Sequence, residues 1–270
     1  MRMRRFLCFT LSSALLQLIP SVGSAEIRIS TSTALSLGAA SSDQSTKTDD
    51  VFSAAIEAMG GRRALEEIKS IKAEADCTGP KGNYKTELSS ARGDRLMFRQ
   101  TRVGRESFLV FVNGKRAWSR SEETGKIAPL DKKTVAAIRS HEFQMIAMAT
   151  RERYSKPQLE GYENFAGSRA IKVRMMDELG NACHVFFDAD SHLMAGMLLV
   201  NPMGEAGETV RIVFNRWSLI GKVKLPSTVT ATDKTGDFVL NFHNITLNEV
   251  AQSVFNVPKE IQNAIAAPGM

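Results

Sequence analysis

The chain has 270 residues, and its 35 lysines and arginines against 29 acidic residues give a net charge of +6. Basic and acidic residues alternate, as in Arg151-Glu152-Arg153, and form no continuous basic stripe. This pattern argues against a nucleic-acid-binding protein, which needs lysine and arginine clustered on one face. The length is enough for one domain with a substantial core.

The first 25 residues predict a cleaved secretory signal peptide. Three arginines in Met1–Arg5 precede the apolar run Phe6–Val22, and Gly23-Ser24-Ala25 supplies the small residues that a signal peptidase reads. An uncleaved membrane anchor is the alternative, but a bilayer span needs roughly 20 apolar residues, and this shorter run contains Pro20. We therefore predict a periplasmic protein without a stable membrane anchor, for which nucleotides and NAD are poor candidates as partners.

Loss of the signal peptide removes three arginines and lowers the net charge from +6 to +3. Residues 26–49 are rich in Ser, Thr and Ala and predict a flexible leader. We expect the folded domain at residues 50–258, followed by a tail at 259–270. The folded domain would begin with a helix whose N-cap is Asp50. This helix would end at Gly60-Gly61, because glycine accommodates the left-handed geometry of a helix C-terminus.

Beyond this helix the period of the apolar residues changes to two, which is typical of β-strands. Turn sequences at hairpin spacing separate the strands, and Asn113-Gly114 is the strongest because a type I′ turn needs positive φ at both central residues. Eleven strands are predicted: Ile71–Cys77, Tyr84–Ser90, Arg95–Arg102, Phe108–Val112, Ala117–Ser121, Ala170–Met176, Ala182–Asp188, Leu193–Val200, Thr209–Leu219, Lys224–Thr232 and Phe238–Leu247.

One long amphipathic helix is predicted between the strands, from Asp131 to Arg153, because this segment lacks Gly and Pro and has an apolar stripe. Arg139, His141 and Glu142 would belong to its polar face. Hairpin-length connections exclude a parallel βαβ sheet. The fold class is therefore mainly β with helical insertions (α+β), a large antiparallel sheet that curls.

Two segments, Leu193–Val200 and Phe186-Phe187, are apolar on both faces of their strands. A strand of this kind is covered on both sides, either by protein or by a ligand. The 12 methionines of the chain suit a cavity for irregular apolar cargo, but packing beneath the Asp131–Arg153 helix explains the same residues.

No catalytic motif is present. His141-Glu142 lacks the second histidine of a zinc-protease helix, and there is neither a nucleophile elbow nor a phosphate-binding loop. Asp188, Asp190 and His192 bunch three potential metal ligands, although a turn between two strands explains these residue types equally well. We predict no metal, no cofactor and no catalytic residue.

Cys77 and Cys183 remain after the signal peptide is removed. The compartment permits a disulfide, but nothing in their spacing indicates one. Burial of both as small apolar side chains is the favoured interpretation.

The motifs, taken in order, are similar to those of the outer-membrane lipoprotein-sorting proteins, the superfamily of the periplasmic lipoprotein carrier and its outer-membrane receptor. Met59–Ile71 resembles the family's first helix and strand, and Asn113–Trp118 resembles its "DGKxxW" hairpin. Phe187–Met194 resembles "FDxxTxLL", and Val223–Pro226 matches "VKLP". Ile245–Pro258 resembles the final strand and the "FxxP" tail.

The resemblance implies an unclosed β half-barrel of about eleven antiparallel strands, with helices across an apolar concave face. It also implies binding of lipid or lipoprotein acyl chains in outer-membrane lipid or lipoprotein trafficking, with a protein of the outer or inner membrane as a candidate partner. The expected lining of the cavity is Leu96, Phe98, Phe108, Val110, Met145, Met148, Met175, Phe187, Met197, Leu199 and Phe214. The alternatives are an envelope-stress sensor or interaction module of the same fold, and a secreted enzyme built around Asp188, Asp190 and His192.

Overall fold

The computed structural model describes residues 41–80, 82–102 and 107–264. The predicted signal peptide, most of the predicted leader and the end of the predicted tail lie outside these residues. The helices are α1 Ser41–Ala58, α2 Arg62–Glu66, α3 Lys132–Arg139, α4 Phe143–Met148, α5 Thr150–Arg153 and α6 Lys259–Ala264, with a 3-10 helix at Gln252–Phe255. The strands are β1 Ser70–Gly79, β2 Gly82–Ala91, β3 Arg95–Arg102, β4 Phe108–Asn113, β5 Arg116–Ser121, β6 Ile127–Pro129, β7 Ser155–Phe165, β8 Ser168–Met176, β9 Ala182–Asp188, β10 Met194–Val200, β11 Thr209–Ile220, β12 Val223–Asp233 and β13 Gly236–Leu247.

The strands of the described residues form one antiparallel sheet in the order β6-β5-β4-β3-β2-β1-β13-β12-β11-β10-β9-β8-β7. Two meanders, β1 to β6 and β7 to β13, are joined where β1 pairs with β13, with Ile71 opposite Leu247. Strands β6 and β7 are the two edges. The sheet is unclosed, which confirms the predicted half-barrel, and the segment that links its edges carries α3, α4 and α5. We call these three helices the cover.

Two strands were not predicted from the sequence. Strand β6 is only three residues long and ends at Pro129, too short to display a period of two. Strand β7 contains Pro157 and Gly161, and its register shifts between Ser155 and Gln158 and again between Leu159 and Gly161. Proline and glycine are sequence signals against a strand. Pro157 is tolerated because β7 is an edge strand, on which a missing N–H leaves no partner unpaired.

Helix α1 begins at Ser41 rather than at the predicted cap Asp50. Its predicted end is confirmed, since Gly61 has a φ of 89° and its N–H donates to Ile56 O at 3.0 Å. A Cβ on Gly60 would lie 2.4 Å from Lys222 O, so glycine also allows the helix end to approach the β11–β12 turn. The helix is thereby held against the sheet.

The single helix predicted from Asp131 to Arg153 is wrong, because three short helices occupy this segment. Its start is right: the Asp131 side chain accepts a hydrogen bond from Thr134 N at 2.9 Å. The first break follows Arg139, where the carbonyl oxygen of Ala137 accepts from Ser140 Oγ at 2.7 Å and bonds His141 Nδ1 at 3.0 Å. Side chains that capture backbone carbonyls in this way compete with helix continuation.

Two apolar clusters lie between the inner face of the sheet and its helices. The larger includes Phe52 of α1, whose ring packs edge-to-face on Phe187 at 5.4 Å. The neighbouring Phe186 faces outward and stacks on Phe165 at 4.0 Å between ring centroids. This part of β9 is therefore covered by protein on both faces, which accounts for its doubly apolar sequence.

The C-terminal segment packs against the β3–β6 half of the sheet. Phe255 is buried, and the Arg95 guanidinium lies 5.5 Å from the centroid of the Phe255 ring. The backbone carbonyl of Phe255 accepts a hydrogen bond from Asn113 Nδ2 at 2.8 Å. Among the described residues, no helix is long and apolar enough to cross a membrane.

Candidate functional site

The candidate site is the interface between the inner face of the sheet and the cover. All eleven residues predicted to line a cavity lie in or against the two apolar clusters there. Met145, Met175, Phe187, Met197, Leu199 and Phe214 belong to the larger cluster, with Met148 packed against it. Leu96, Phe98 and Val110 belong to the smaller cluster, with Phe108 packed against it.

Two openings border this interface within the described part of the chain. The larger is a cleft of about 240 Å³ between the β2–β3 turn, the cover, the β8–β9 turn and strands β10 and β11. Of the predicted lining residues, Met145 and Leu199 border it. The smaller, about 30 Å³, lies between His141 and Phe143 on one side and β11, β12 and the loop at Met203 on the other. The remaining predicted residues pack against protein.

The volume of the larger cleft limits what it can hold. Pockets for small molecules usually enclose about 300–1,000 Å³, more than the 240 Å³ present here. A long acyl chain therefore fits only if the cover moves away from the sheet.

A buried ionic cluster fastens the cover to the sheet. Glu142, between α3 and α4, is 2% exposed, and its carboxylate accepts from Ser90 Oγ of β2 at 2.6 Å. The other carboxylate oxygen accepts from Arg153 Nη2 at 2.6 Å, and Arg139 Nε lies 3.8 Å away. Placing Glu142 on a solvated helix face was therefore wrong, because the break after α3 turns its side chain inward.

The two arginines of this cluster differ in their surroundings. Burial lowers the pKa of Arg153, but attraction to Glu142 and the hydrogen bond between them outweigh burial and raise it overall. Arg139 also bonds Asp94 Oδ1 at 2.6 Å and Glu178 Oε2 at 3.3 Å, in the turns that border the cleft. The cleft therefore combines an apolar wall with arginines that are already paired with acids.

His141 lies at the centre of the interface, with its ring 5.9 Å from Phe98 and 5.8 Å from Phe143. Burial lowers its pKa, and the hydrogen bond to Ala137 O opposes this only in part. The ring is therefore neutral near pH 7 and acts as an aromatic contact rather than as a charge. This placement also removes His141 from the polar helix face on which the sequence had put it.

Three buried polar atoms on β2 and α4 have no hydrogen-bond partner among the described residues. They are Tyr84 Oη and Thr86 Oγ1 of β2 and Gln144 Oε1 of α4. The three residues are 4%, 3% and 0% exposed. The other polar group of the Gln144 amide has a partner, since its Nε2 donates a hydrogen bond to Pro226 O at 3.1 Å. Unpaired polar atoms at this depth are rare in proteins, so each requires an explanation.

The carboxylate of Asp188 stabilises the turn between β9 and β10. Asp188 Oδ1 accepts from Ser191 N and Ser191 Oγ, both at 2.8 Å. These hydrogen bonds, the backbone bond from Ser191 first, lower the pKa of Asp188 despite partial burial. His192 adopts a φ of 60° to complete the turn. Within residues 41–264 as described, no group of His, Cys, Asp and Glu side chains is arranged to hold a metal ion.

Cys77 and Cys183 are both buried and both free, which agrees with the favoured interpretation of the sequence. Burial raises the pKa of Cys77 to about 11 and that of Cys183 to about 12. Both thiols are therefore protonated near neutral pH and unreactive as nucleophiles.

Sequence analysis missed the polar residues of this interface. A signal was present in β2, because Tyr84, Thr86, Leu88 and Ser90 alternate with Lys85, Glu87 and Ser89, so three hydroxyl side chains share the inner face. The pairing of Glu142 with Arg153 had no such signal, because it depends on where the long helix breaks.

The described fold is similar to that of solved lipoprotein-sorting proteins. The LolA superfamily protein NE2245 from Nitrosomonas europaea has a TM-score of 0.54 and 12% identity, covering 78% of this chain and 97% of that one. A domain named for outer membrane lipoprotein sorting, from Vibrio parahaemolyticus, has a TM-score of 0.52 and 15% identity, covering 82% of this chain and 100% of that one. No protein-family model and no curated protein matches the sequence.

These likenesses extend over nearly the whole of both solved chains, and they establish a LolA-like fold for this protein. They agree with the resemblance that the sequence motifs indicated. At 12% and 15% identity they are evidence of the fold alone.

Proposed function

We propose that this protein is an exported carrier that binds lipid or lipoprotein acyl chains between the half-barrel and its cover. The observation that carries the proposal is the arrangement of the inner face: an unclosed sheet with an apolar surface, closed over by three short helices that link its two edges. The named function of the solved domain from Vibrio parahaemolyticus, lipoprotein sorting, supports the same class of ligand.

Binding would proceed by exchange of contacts. An acyl chain enters at the larger cleft, and the cover shifts so that the chain replaces the cover's side chains against the sheet. Each square ångström of apolar surface that leaves water contributes about 25 cal/mol. Breaks after Arg139 and Met148 divide the cover into segments, so it can yield in parts rather than as one rigid helix.

A direct test uses the chain from Glu26 onward, the predicted mature form, produced in the bacterial periplasm. We expect native mass spectrometry to detect co-purified lipid and a fluorescent fatty acid to bind and be displaced by palmitate. If the protein neither co-purifies with lipid nor binds the fluorescent fatty acid, the carrier proposal is wrong. Sequencing the N-terminus of the exported full chain tests the signal peptide, with Glu26 as the expected first residue.

A matched pair of variants locates the binding. Leu199→Trp places a larger side chain at the cleft, where Leu199 is 8% exposed, and should weaken fatty-acid binding. Leu219→Trp makes the same change at a position that is 68% exposed and away from both openings. Equal affinities for the two variants, with circular dichroism showing both folded, would place the ligand elsewhere.

A further inference from the structure

The larger cleft is bordered by charged side chains of both signs as well as by apolar ones. Within the described part of the chain, three arginines and four acidic residues line it. The side chains of Arg139 and Arg153 are each 14% exposed, whereas those of Asp94 and Glu178 are 60% and 43% exposed. The acids therefore lie nearer to solvent, at the mouth of the cleft, and the arginines lie deeper.

A buried hydroxyl group also borders this cleft. Tyr154, the residue after α5, is 9% exposed and lines the cleft beside Arg153. Its Oη has no hydrogen-bond partner within the ranges that the structure describes. Burial raises the pKa of this phenol, with smaller contributions from the charges of Asp177 and Glu178. The hydroxyl therefore keeps its proton near neutral pH and can donate to a ligand in the cleft.

Two of the acids at the mouth are held by a single arginine. Arg139 Nη2 donates to Asp94 Oδ1 at 2.6 Å, and Arg139 Nη1 lies 3.3 Å from Glu178 Oε2. Each of these bonds uses one carboxylate oxygen. Asp177 differs, because both of its oxygens already accept hydrogen bonds within the β8–β9 turn. Asp94 and Glu178 are therefore the acids with capacity left to bind a cationic group.

The balance of charge in the cleft disfavours a head group that is only anionic. The lining acids outnumber the lining arginines, and the carboxylate of Glu142 already holds Arg153 at 2.6 Å. A lone phosphate or carboxylate would have to compete with these acids for the arginines. A head group that carries an ammonium beside a phosphate can exchange partners instead, because its ammonium replaces Arg139 against Asp94 and Glu178 and its phosphate takes the released guanidinium.

We propose that the larger cleft binds the phosphoethanolamine head group of a lipid, with the ammonium between Asp94 and Glu178 and the phosphate at Arg139 and the Tyr154 hydroxyl. One ammonium can reach both acids, since they bind the two terminal nitrogens of one guanidinium. An ammonium has three donors and a phosphate only acceptors, and hydrogen bonds between charged groups are the stronger kind. The inference rests on the proposed carrier function, which fixes only the acyl chain, and adds the head group.

The two openings give the acyl chain of such a lipid a direction. Ser140, Pro202 and Val210 border both of them, so the openings are neighbours. The smaller opening is mainly apolar and includes Phe143 and Phe238. A lipid whose head group lies in the larger cleft would therefore extend its chain past the three shared residues and beneath the break between α3 and α4.

The test compares four ligands that share one palmitoyl chain and differ in the head group. They are lysophosphatidylethanolamine, lysophosphatidylcholine, lysophosphatidylglycerol and the uncharged monopalmitoylglycerol. Each displaces a bound fluorescent fatty acid from the protein that begins at Glu26, below the micelle concentration of the lipid. We expect the ethanolamine lipid to bind about 10-fold more tightly than the others, the order expected for hydrogen bonds to charged groups. Choline has no N–H to donate, the phosphatidylglycerol lipid has no ammonium, and monopalmitoylglycerol has neither charge.

Three variants locate the preference. Tyr154→Phe removes only the hydroxyl, and Asp94→Asn removes one charge at a residue whose φ of 56° asparagine also adopts readily. Each should weaken binding of the ethanolamine lipid about 5- to 10-fold and leave the affinity for monopalmitoylglycerol unchanged. Asp76→Asn makes the same change of charge at a side chain that is 68% exposed, beside His243 and away from the cleft. It is the control and should alter neither affinity.

A stability measurement separates a ligand contact from a structural role. Removing the unpaired hydroxyl in Tyr154→Phe should leave the urea midpoint of the ligand-free protein unchanged or raise it. A fall in this midpoint together with weaker binding of all four ligands would overturn the role of Tyr154 at the head group, because its hydroxyl would then stabilise the fold itself.

The remaining outcomes distinguish the head-group site from the carrier function. If none of the four ligands binds, the carrier function fails, and the head-group site fails with it. If the ligands bind but the ethanolamine lipid binds no more tightly than any one of the others, only the head-group site is overturned. Equal effects of Asp94→Asn and Asp76→Asn on the ethanolamine lipid would overturn it as well.

Discussion

Glu142 Oε2 lies 2.6 Å from Nη2 of Arg153, and the two side chains are only 3% and 14% exposed. The pair connects the turn between α3 and α4 with the end of α5, while the same carboxylate holds Ser90 of the sheet. One buried charge thus joins two parts of the cover to β2, so we expect the folded state to depend on it.

Glu142→Gln tests this dependence. The substitution keeps the size of the side chain but leaves the Arg153 guanidinium without its buried counter-charge, which should cost about 3 kcal/mol of unfolding free energy. Urea unfolding followed by circular dichroism measures the change. Glu67→Gln is the control, since its pair with Arg63 is 52% and 95% exposed and should contribute less than about 0.5 kcal/mol. Similar effects of the two substitutions would contradict the role of Glu142.

His141 predicts a dependence of stability on pH. Burial holds its folded-state pKa below the ordinary value of 6.5, so the unfolded chain takes up a proton first as the pH falls. The free energy of unfolding should therefore be level with respect to this group above about pH 6.5 and decrease below it. Urea unfolding of the wild type and of His141→Gln at pH 7.5 and pH 5.5 should show a smaller difference for the variant.

His184→Gln serves as the control for this experiment, because His184 lies on the sheet beside Glu160 and outside the cover interface. If His141→Gln and the wild type lose the same stability between the two pH values, burial of the imidazole is not the cause.

The cap of α3 contributes measurably to the cover. Asp131→Ala removes the acceptor of the Thr134 N–H and should lower the free energy of unfolding by about 1 kcal/mol. Asp131→Asn retains an oxygen at this position and should lose much less. Chemical denaturation distinguishes the two, and an Ala variant as stable as Asn would mean that the hydrogen bond contributes nothing.

The two buried cysteines predict an all-or-none reaction with thiol reagents. Because burial raises both pKa values, to about 11 and about 12, the folded chain from Glu26 should not react with Ellman's reagent at pH 8 within minutes. Unfolding in guanidinium should release both thiols, Cys77 and Cys183. A disulfide would instead leave none to react until a reducing agent is added.

Local sequence signals predicted much of the architecture. The helix stop at Gly60-Gly61 and the hairpin between β4 and β5 are each decided by residues within a few positions of one another, because glycine acts on the backbone next to it. The two-residue loop of this hairpin is Gly114-Lys115 rather than the predicted Asn113-Gly114, since Asn113 pairs with Arg116 and Gly114 alone of the loop has a positive φ. The apolar positions of the strands were predicted for the same reason, since a period of two needs no partner to be visible.

Local sequence signals did not predict the edge strand β7 or the breaks between the helices of the cover. Pro157 and Gly161 argue against a strand until it is known that β7 lies at an edge. In the sequence, His141 and Glu142 are compatible with a continuous helix. The break is favoured only in the folded chain, where Ser90 Oγ of β2 donates a buried hydrogen bond to Glu142 at 2.6 Å.

Local patterns in the sequence predicted the alternation of strands and turns, the apolar residues that form the core and the family that the motifs resemble. Which polar groups become buried depends instead on how distant elements pack. The pairing of β1 with β13 brings together residues from opposite ends of the domain, and Tyr84, Thr86 and Glu142 are buried in the folded chain. Burial and hydrogen-bond pairing are properties of groups distant in the chain, so no local pattern specifies them.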